Sequence, residues 1–253
     1  MQAHSIPLQR GASGADVIEL QIRLAGFRGT LWDGQFGPGT ELQVMAFQRD
    51  YLGQTAPSGK VDRSTWDGVQ QFAAEFPVDL PTLKCPCGRC AGFGNGANEG
   101  LYYPDRPKSE ATYRFEYPGM HKAILNTYRA AQFYGLRAGF GRAVVTSGYR
   151  CTIDNEQHQR TTTNHMGKAI DIDFALQPGE GKREDSVRCD AMRGLLVEKA
   201  NCQIGWGARD RKALEPSEIA PTWVHIDVRS YAMQYLDKSL FVTTAAELDR
   251  YQA

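Results

Sequence analysis

Two histidine-bearing signatures constrain this chain more than any other feature in it. The first is Asn164-His165-Met166-Gly167-Lys168-Ala169-Ile170-Asp171-Ile172-Asp173, and the second is Trp223-Val224-His225-Ile226-Asp227. Each sets a histidine in or beside a stretch where polar and apolar residues alternate, the period of a β-strand. Two such strands laid side by side bring His165, a carboxylate and His225 to one point. Two imidazoles and one carboxylate suit a catalytic Zn²⁺ with one coordination position left open for water. Alternation puts Ala169, Asp171 and Asp173 on one face, so either aspartate is a candidate third ligand. Gly167 permits the turn that separates His165 from the strand. His4, His121 and His158 have no comparable context.

The 253 residues suffice for one large domain or two small ones. With 29 basic and 29 acidic residues the formal net charge is zero, which argues against a nucleic-acid partner. No run is long and apolar enough for a transmembrane helix, so membrane insertion is not expected. Met1-Gln2-Ala3-His4-Ser5-Ile6-Pro7 lacks a charged segment followed by an apolar core, so no Sec-type signal peptide is visible.

Six cysteines are present: Cys85, Cys87, Cys90, Cys151, Cys189 and Cys202. The tight spacing of Cys85-Pro86-Cys87-Gly88-Arg89-Cys90 suits thiolate ligation of a metal. A structural zinc site needs four ligands, however, and no fourth cysteine or histidine follows nearby. Disulfides from this cluster to Cys151, Cys189 or Cys202 are the favoured expectation, with the connectivity open.

The chain divides into two units. From residue 6 to about residue 76 it reads as three short helices. Val17, Leu20, Gln21 and Leu24 have helical spacing, as do Leu42, Met45, Ala46 and Phe47. A third helix opens near Trp66 with Ser64 or Asp62 as its cap. Leu20, Leu24, Phe47 and Trp66 are expected to form the core. Residues 79–100 read as a linker carrying the cysteine cluster, entered through the stiff stretch Phe76-Pro77-Val78-Asp79-Leu80-Pro81 and glycine-rich from Gly92 to Gly100. Beyond it, Pro118 to Gly135 and Arg183 to Ala200 read as helices, the latter with Val187, Met192, Leu195, Leu196 and Val197 inward. Strands are expected at Ala143–Ser147, Lys168–Phe174, Gln203–Gly207 and Thr222–Val228. The fold class is α+β: a small N-terminal three-helix bundle followed by an α+β domain with a small antiparallel sheet.

The N-terminal pattern runs Gly14…Val17…Leu20-Gln21…Leu24, Asp33-Gly34-Gln35-Phe36-Gly37…Thr40, Phe47-Gln48 and Gly59-Lys60-Val61-Asp62…Thr65-Trp66. It resembles the peptidoglycan-binding domain of bacterial and phage cell-wall hydrolases across residues 8–70. That resemblance implies a wall-targeting role for residues 1–78, with a shallow polar groove contacting glycan or stem peptide. The second unit, residues 101–253, together with the cysteine stretch before it, resembles the zinc D-Ala-D-Ala carboxypeptidase and murein endopeptidase superfamily over about residues 84–230. Cys85-Pro86-Cys87-Gly88, Ser147-Gly148-Tyr149-Arg150-Cys151, His165…Gly167-Lys168-Ala169-Ile170-Asp171 and Val224-His225-Ile226-Asp227 carry it.

By this second resemblance His165, Asp171 and His225 are the zinc ligands, and Arg150 holds a substrate carboxylate or an oxyanion. Ser147, Tyr149 and Trp223 are expected to contact substrate. The superfamily usually places its aspartate seven positions after the first histidine. Here Asp171 follows His165 by six and Asp173 by eight. Asp171 keeps the Gly-x-Ala-x-Asp frame and is preferred, with Asp173 the alternative. Many members carry a general base three residues before the last ligand, where this chain has Thr222. Some murein endopeptidases of the superfamily also lack an acid there. Glu218 and Asp227 are the substitutes, although Asp227 is also placed to orient His225.

The function expected is a zinc peptidase acting on peptidoglycan peptides, as carboxypeptidase or endopeptidase, at the cell wall or in the periplasm. Without a visible signal, delivery by phage lysis or by a specialised secretion system is expected. An antibacterial effector implies a secretion apparatus and an immunity protein. The alternative is a non-catalytic wall-binding or phage structural protein with a degenerate peptidase fold, which rests on Thr222.

Overall fold

The computed structural model describes residues 7–29, 31–94, 116–160, 164–176 and 178–250. The expectations for His4, the first six residues, Asn95 to Gly100 and the start of the second unit lie outside these residues.

The N-terminal unit contains helices α1 (Ala15–Arg23), α2 (Pro38–Asp50) and α3 (Arg63–Glu75). Pro38 occupies the first turn of α2, where its missing N–H costs no hydrogen bond. Asp62 caps α3, its Oδ1 accepting from the Thr65 N–H at 2.7 Å. Leu20, Leu24, Phe47 and Trp66 are all buried, as the periodicity predicts. Leu42 instead points to solvent. The core of this unit is largely aromatic. Phe27 packs edge-on against Phe47 and Phe72, each with ring centroids 5.1 Å apart.

The second unit orders its remaining elements as β1 (Met120–His121), α4 (Lys122–Arg137), β2 (Ala143–Ser147), α5 (Thr152–Gln157), β3 (Ala169–Phe174), α6 (Lys182–Ala200), β4 (Cys202–Ile204), β5 (Lys212–Leu214), β6 (Val224–Asp227), β7 (Phe241–Val242) and α7 (Ala245–Asp249). Its main sheet runs β2-β3-β6-β5-β4, and a two-stranded pair joins β1 to β7. The sheet departs from the all-antiparallel expectation at one edge, because β4 and β5 pair parallel. The other three pairings are antiparallel.

Helix α4 belongs to both cores. Ile124, Leu125 and Ala131 face the sheet, while Ala130, Phe133 and Tyr134 pack into the aromatic core of the N-terminal unit. The segment expected as a linker does not stand away from the second unit either. Leu80 and Leu83, in a short 3₁₀ turn at Leu80–Leu83, are buried in the core of that unit. In α6 the inward stripe is Asp185, Arg188, Cys189, Met192, Leu196 and Ala200. Met192 and Leu196 match the expectation, whereas Val187 and Val197 are exposed. The stripe follows three- and four-residue steps, and those two valines fall off it.

Candidate metal centre

Strands β3 and β6 lie adjacent in the middle of the sheet, with Asp171 paired to His225 and Ala169 to Asp227. Because alternate residues share a face, these four positions form one patch. His165 comes from the turn before β3, and its placement depends on two glycines, Gly167 in that turn and Gly148 in the turn after β2. Gly167 has φ of 100°, and a Cβ there would press on the Gly119 carbonyl. Gly148 lies so close to Leu83 that an added Cβ would stand 2.5 Å from the Leu83 carbonyl oxygen.

His165, Asp171 and His225 are all buried, and their donor atoms lie within 4.8 Å of one another. His225 Nδ1 is 2.7 Å from Asp171 Oδ1, and His165 Nε2 is 3.3 Å from the same oxygen. The outward ring nitrogens each have a protein partner. His165 Nδ1 is 2.8 Å from the Gly148 carbonyl, and His225 Nε2 is 2.9 Å from Asp227 Oδ2. That arrangement fixes the tautomer in which the inward nitrogens are free to ligate. The three donors therefore fit a divalent ion such as zinc.

Electrostatics around the patch follow from burial and pairing. Burial disfavours the charged ring of His225, but Asp171 and Asp227 outweigh it and raise the group to about 9. Burial lowers His165, and the nearby Asp171 offsets this only in part. Burial likewise opposes ionisation of Asp171, yet His165 and His225 hold it far below the usual carboxylate range. Lys168, buried behind β3, is lowered to about 8 by desolvation. Without a metal, the His225 imidazolium, together with Arg150, thus takes the place of the cation as counter-charge to Asp171.

Arg150 reaches this patch from the turn after β2. Its Nη2 donates to Asp171 Oδ2 at 3.1 Å and its Nε donates to Ser147 Oγ at 2.8 Å. Arg150, Arg160 and Lys84 together line a polar recess next to Asp171. Other predicted positions are placed differently. Tyr149 is buried, donating from its hydroxyl to the Tyr117 carbonyl at 2.8 Å, and with Ser147 it is among the residues lining that recess. Trp223 is half-buried just before β6, its carbonyl accepting from Arg193 at 2.6 Å. Glu218 is exposed in the turn at 217–219. Asp173 joins Asp185 and Cys189 instead of the histidines. Asp227 sits on the outer nitrogen of His225, away from the point where the three donors converge.

Two residues absent from the sequence expectations also belong to this network. Arg229 donates to Asp227 Oδ2 at 2.6 Å, and its guanidinium lies 4.8 Å from the centre of the Trp206 ring. A basic residue two positions after Asp227 was the only available signal. The cysteines also differ from the favoured disulfide expectation, since none of the six is disulfide-bonded. Cys189 points toward Asp173 and Cys202 toward the Ala200 carbonyl, so neither can reach the cluster near residue 87.

Each of the two units, the helical one and the one bearing the His–Asp–His patch, can be set beside known proteins. Residues 13–67 match a family model described as a putative peptidoglycan binding domain. A 93-residue stretch is 50% identical to the zinc D-Ala-D-Ala carboxypeptidase of Streptomyces albus G. That match covers 35% of this chain and 36% of the relative. The chain therefore combines a peptidoglycan-binding domain with a segment similar to a zinc carboxypeptidase.

Proposed function

We propose that this chain is a peptidoglycan hydrolase, a zinc-dependent peptidase that cleaves stem-peptide or cross-link peptide bonds. The observation that carries the reading is the convergence of His165 Nε2, His225 Nδ1 and Asp171 Oδ1, with both outer ring nitrogens already engaged. His165, Asp171 and His225 would hold the ion, and Asp173 is set aside because it partners Asp185 and Cys189. When bound there, zinc supplies Lewis-acid polarisation of a peptide carbonyl and acidifies water.

The protein's own groups supply positioning and charge. Arg150 presents donors beside Asp171 and, with Lys84, offers positive charge to a carboxylate such as a stem-peptide terminus, whereas Arg160 in the same recess is paired to Asp154 at 2.6 Å. It also serves to stabilise negative charge developing on the attacked carbonyl oxygen. Asp227 holds the His225 ring through Nε2, with Arg229 holding Asp227 in turn. Ser147 fixes the Arg150 fork through Nε. Glu218, exposed in the turn at 217–219, is the candidate base, and Glu218→Gln is expected to lower turnover. The N-terminal unit raises the local concentration of wall substrate near the site. A polar recess lined by Asp33, Gln35 and Thr40 from this unit and by Asn201, Asp210 and Tyr235 from the second is the candidate contact surface for glycan or peptide.

Action at the wall or in the periplasm fits this reading, as either an endolysin or a secreted antibacterial effector. Among the described residues no helix is long and apolar enough to cross a membrane. The test is mass spectrometry of muropeptides after digestion of purified murein, with and without a chelator. Loss of a terminal D-Ala indicates carboxypeptidase action, and loss of cross-linked dimers indicates endopeptidase action. A His225→Ala variant that kept full activity would overturn the reading in favour of a wall-binding protein with an inactive peptidase fold.

A further inference from the structure

The four cysteines Cys85, Cys87, Cys90 and Cys151 converge on one side of the second unit, apart from the histidines. All four sulfur atoms lie within 4.8 Å of one another. Cys87 Sγ and Cys151 Sγ are 3.5 Å apart, far beyond disulfide bonding distance. Four thiolates at about 2.3 Å around a tetrahedral zinc ion stand roughly 3.8 Å from one another. The cluster therefore has the dimensions of a tetrathiolate cage and not those of a pair of disulfides.

The backbone around the cluster is arranged to receive negative sulfur. The Cys151 N–H donates to Cys85 Sγ, Arg89 N–H to Cys87 Sγ and Gly92 N–H to Cys90 Sγ, each at 3.3 Å. The Asp154 N–H donates to Cys151 Sγ at 3.5 Å. Every sulfur of the cluster thus accepts one backbone N–H, which disperses thiolate charge. The ligands come from two distant stretches, since Cys151 is 61 positions beyond Cys90. What joins them is the turn that carries Gly148 and Arg150. Tyr149 N–H donates to the Leu83 carbonyl at 2.7 Å, and the Gly148 carbonyl meets His165 Nδ1.

We propose that Cys85, Cys87, Cys90 and Cys151 form a second, structural zinc site that clips the segment before β1 to the Arg150 turn. Four protein ligands leave no open position, so this ion does no chemistry; it contributes folding energy and holds the turn in place. Binding releases the thiol protons to solvent and leaves a centre of formal charge −2, which the four N–H donors face. The site stands whether or not the histidine patch binds metal.

The test is metal analysis of the full-length protein purified under reducing conditions with zinc supplied. Wild-type protein is expected to carry two zinc equivalents. A His165→Ala/His225→Ala double variant is expected to keep one, with an X-ray absorption spectrum showing only sulfur neighbours near about 2.3 Å. Cys90→Ser is expected to lose that equivalent, retain the other and unfold at a lower temperature. If Cys90→Ser fails to fold, the absorption spectrum of the double variant still decides. Zinc-free double variant, or a zinc shell without sulfur, would overturn the proposal. So would an intact mass, measured without reductant, that lacks two hydrogens for a bridge within the cluster.

Discussion

Asp171 and His225 occupy paired positions on β3 and β6, and the carboxylate Oδ1 lies 2.7 Å from the imidazole Nδ1. The pairing comes from strand register, so the two donors are held by backbone hydrogen bonds and not by flexible loops. Rigid placement of this kind suits a metal centre, where small ligand displacements cost affinity. Only His165 is brought in by a turn, and its ring is fixed by the Gly148 carbonyl.

Asp227 acts through His225. Replacing it with alanine frees the His225 ring to rotate and removes the acceptor that fixes its tautomer. Zinc affinity at the histidine patch is expected to fall by about 10- to 100-fold. Competition with a chromogenic chelator measures this, and an unchanged affinity would show that Asp227 has no orienting role.

Arg150→Met removes the cation beside Asp171 while approximately conserving volume. Turnover on muropeptides is expected to fall by about 10²- to 10³-fold, the scale of a lost oxyanion donor. Zinc content should remain at the wild-type level. Equal losses of zinc and activity would instead make Arg150 a structural partner of Asp171.

Gly167→Ala tests the turn that delivers His165. The residue has φ of 100°, and an added Cβ would meet the Gly119 carbonyl. The expected loss of stability exceeds about 1 kcal/mol. A melting temperature equal to wild type, with unchanged zinc binding, would contradict this account of the turn.

Asp62→Ala removes the cap of α3 and is expected to cost about 1 kcal/mol near neutral pH. The carboxylate is lowered below its ordinary value by the hydrogen bond from the Thr65 N–H and its neighbours. A depressed folded-state value means the stabilisation is full above the unfolded value. It disappears as pH falls through the folded one. The gap between wild-type and variant melting temperatures should therefore close in acid. A gap that stayed constant down to about pH 2 would rule out the charged cap.

Much of this was legible in the chain itself. Polar–apolar alternation located β3 and β6, helical periodicity located the buried face of α1, and a capping signal located the start of α3 at Asp62. The misjudged residues share a cause. Val187, Val197 and Leu42 are apolar, but hydropathy does not say which stripe of a helix will face its neighbours. The register of β4 and β5 was equally hidden, because short strands carry no sequence mark of parallel or antiparallel pairing.

For the sites, the amino-acid sequence by itself determined which donors were available: two histidines in strand-like settings, nearby aspartates and a tight trio of cysteines. Tertiary structure alone decided their partners. Asp171 and Asp173 share a strand and its period, but pairing with β6 sets Asp171 opposite His225. Packing of α6 meanwhile draws Asp173 toward Asp185 and Cys189. The cysteine trio likewise acquires its fourth member, Cys151, only when the Arg150 turn folds against Leu83. Sequence distance hides such meetings, because ligand geometry depends on through-space distances that only chain folding establishes.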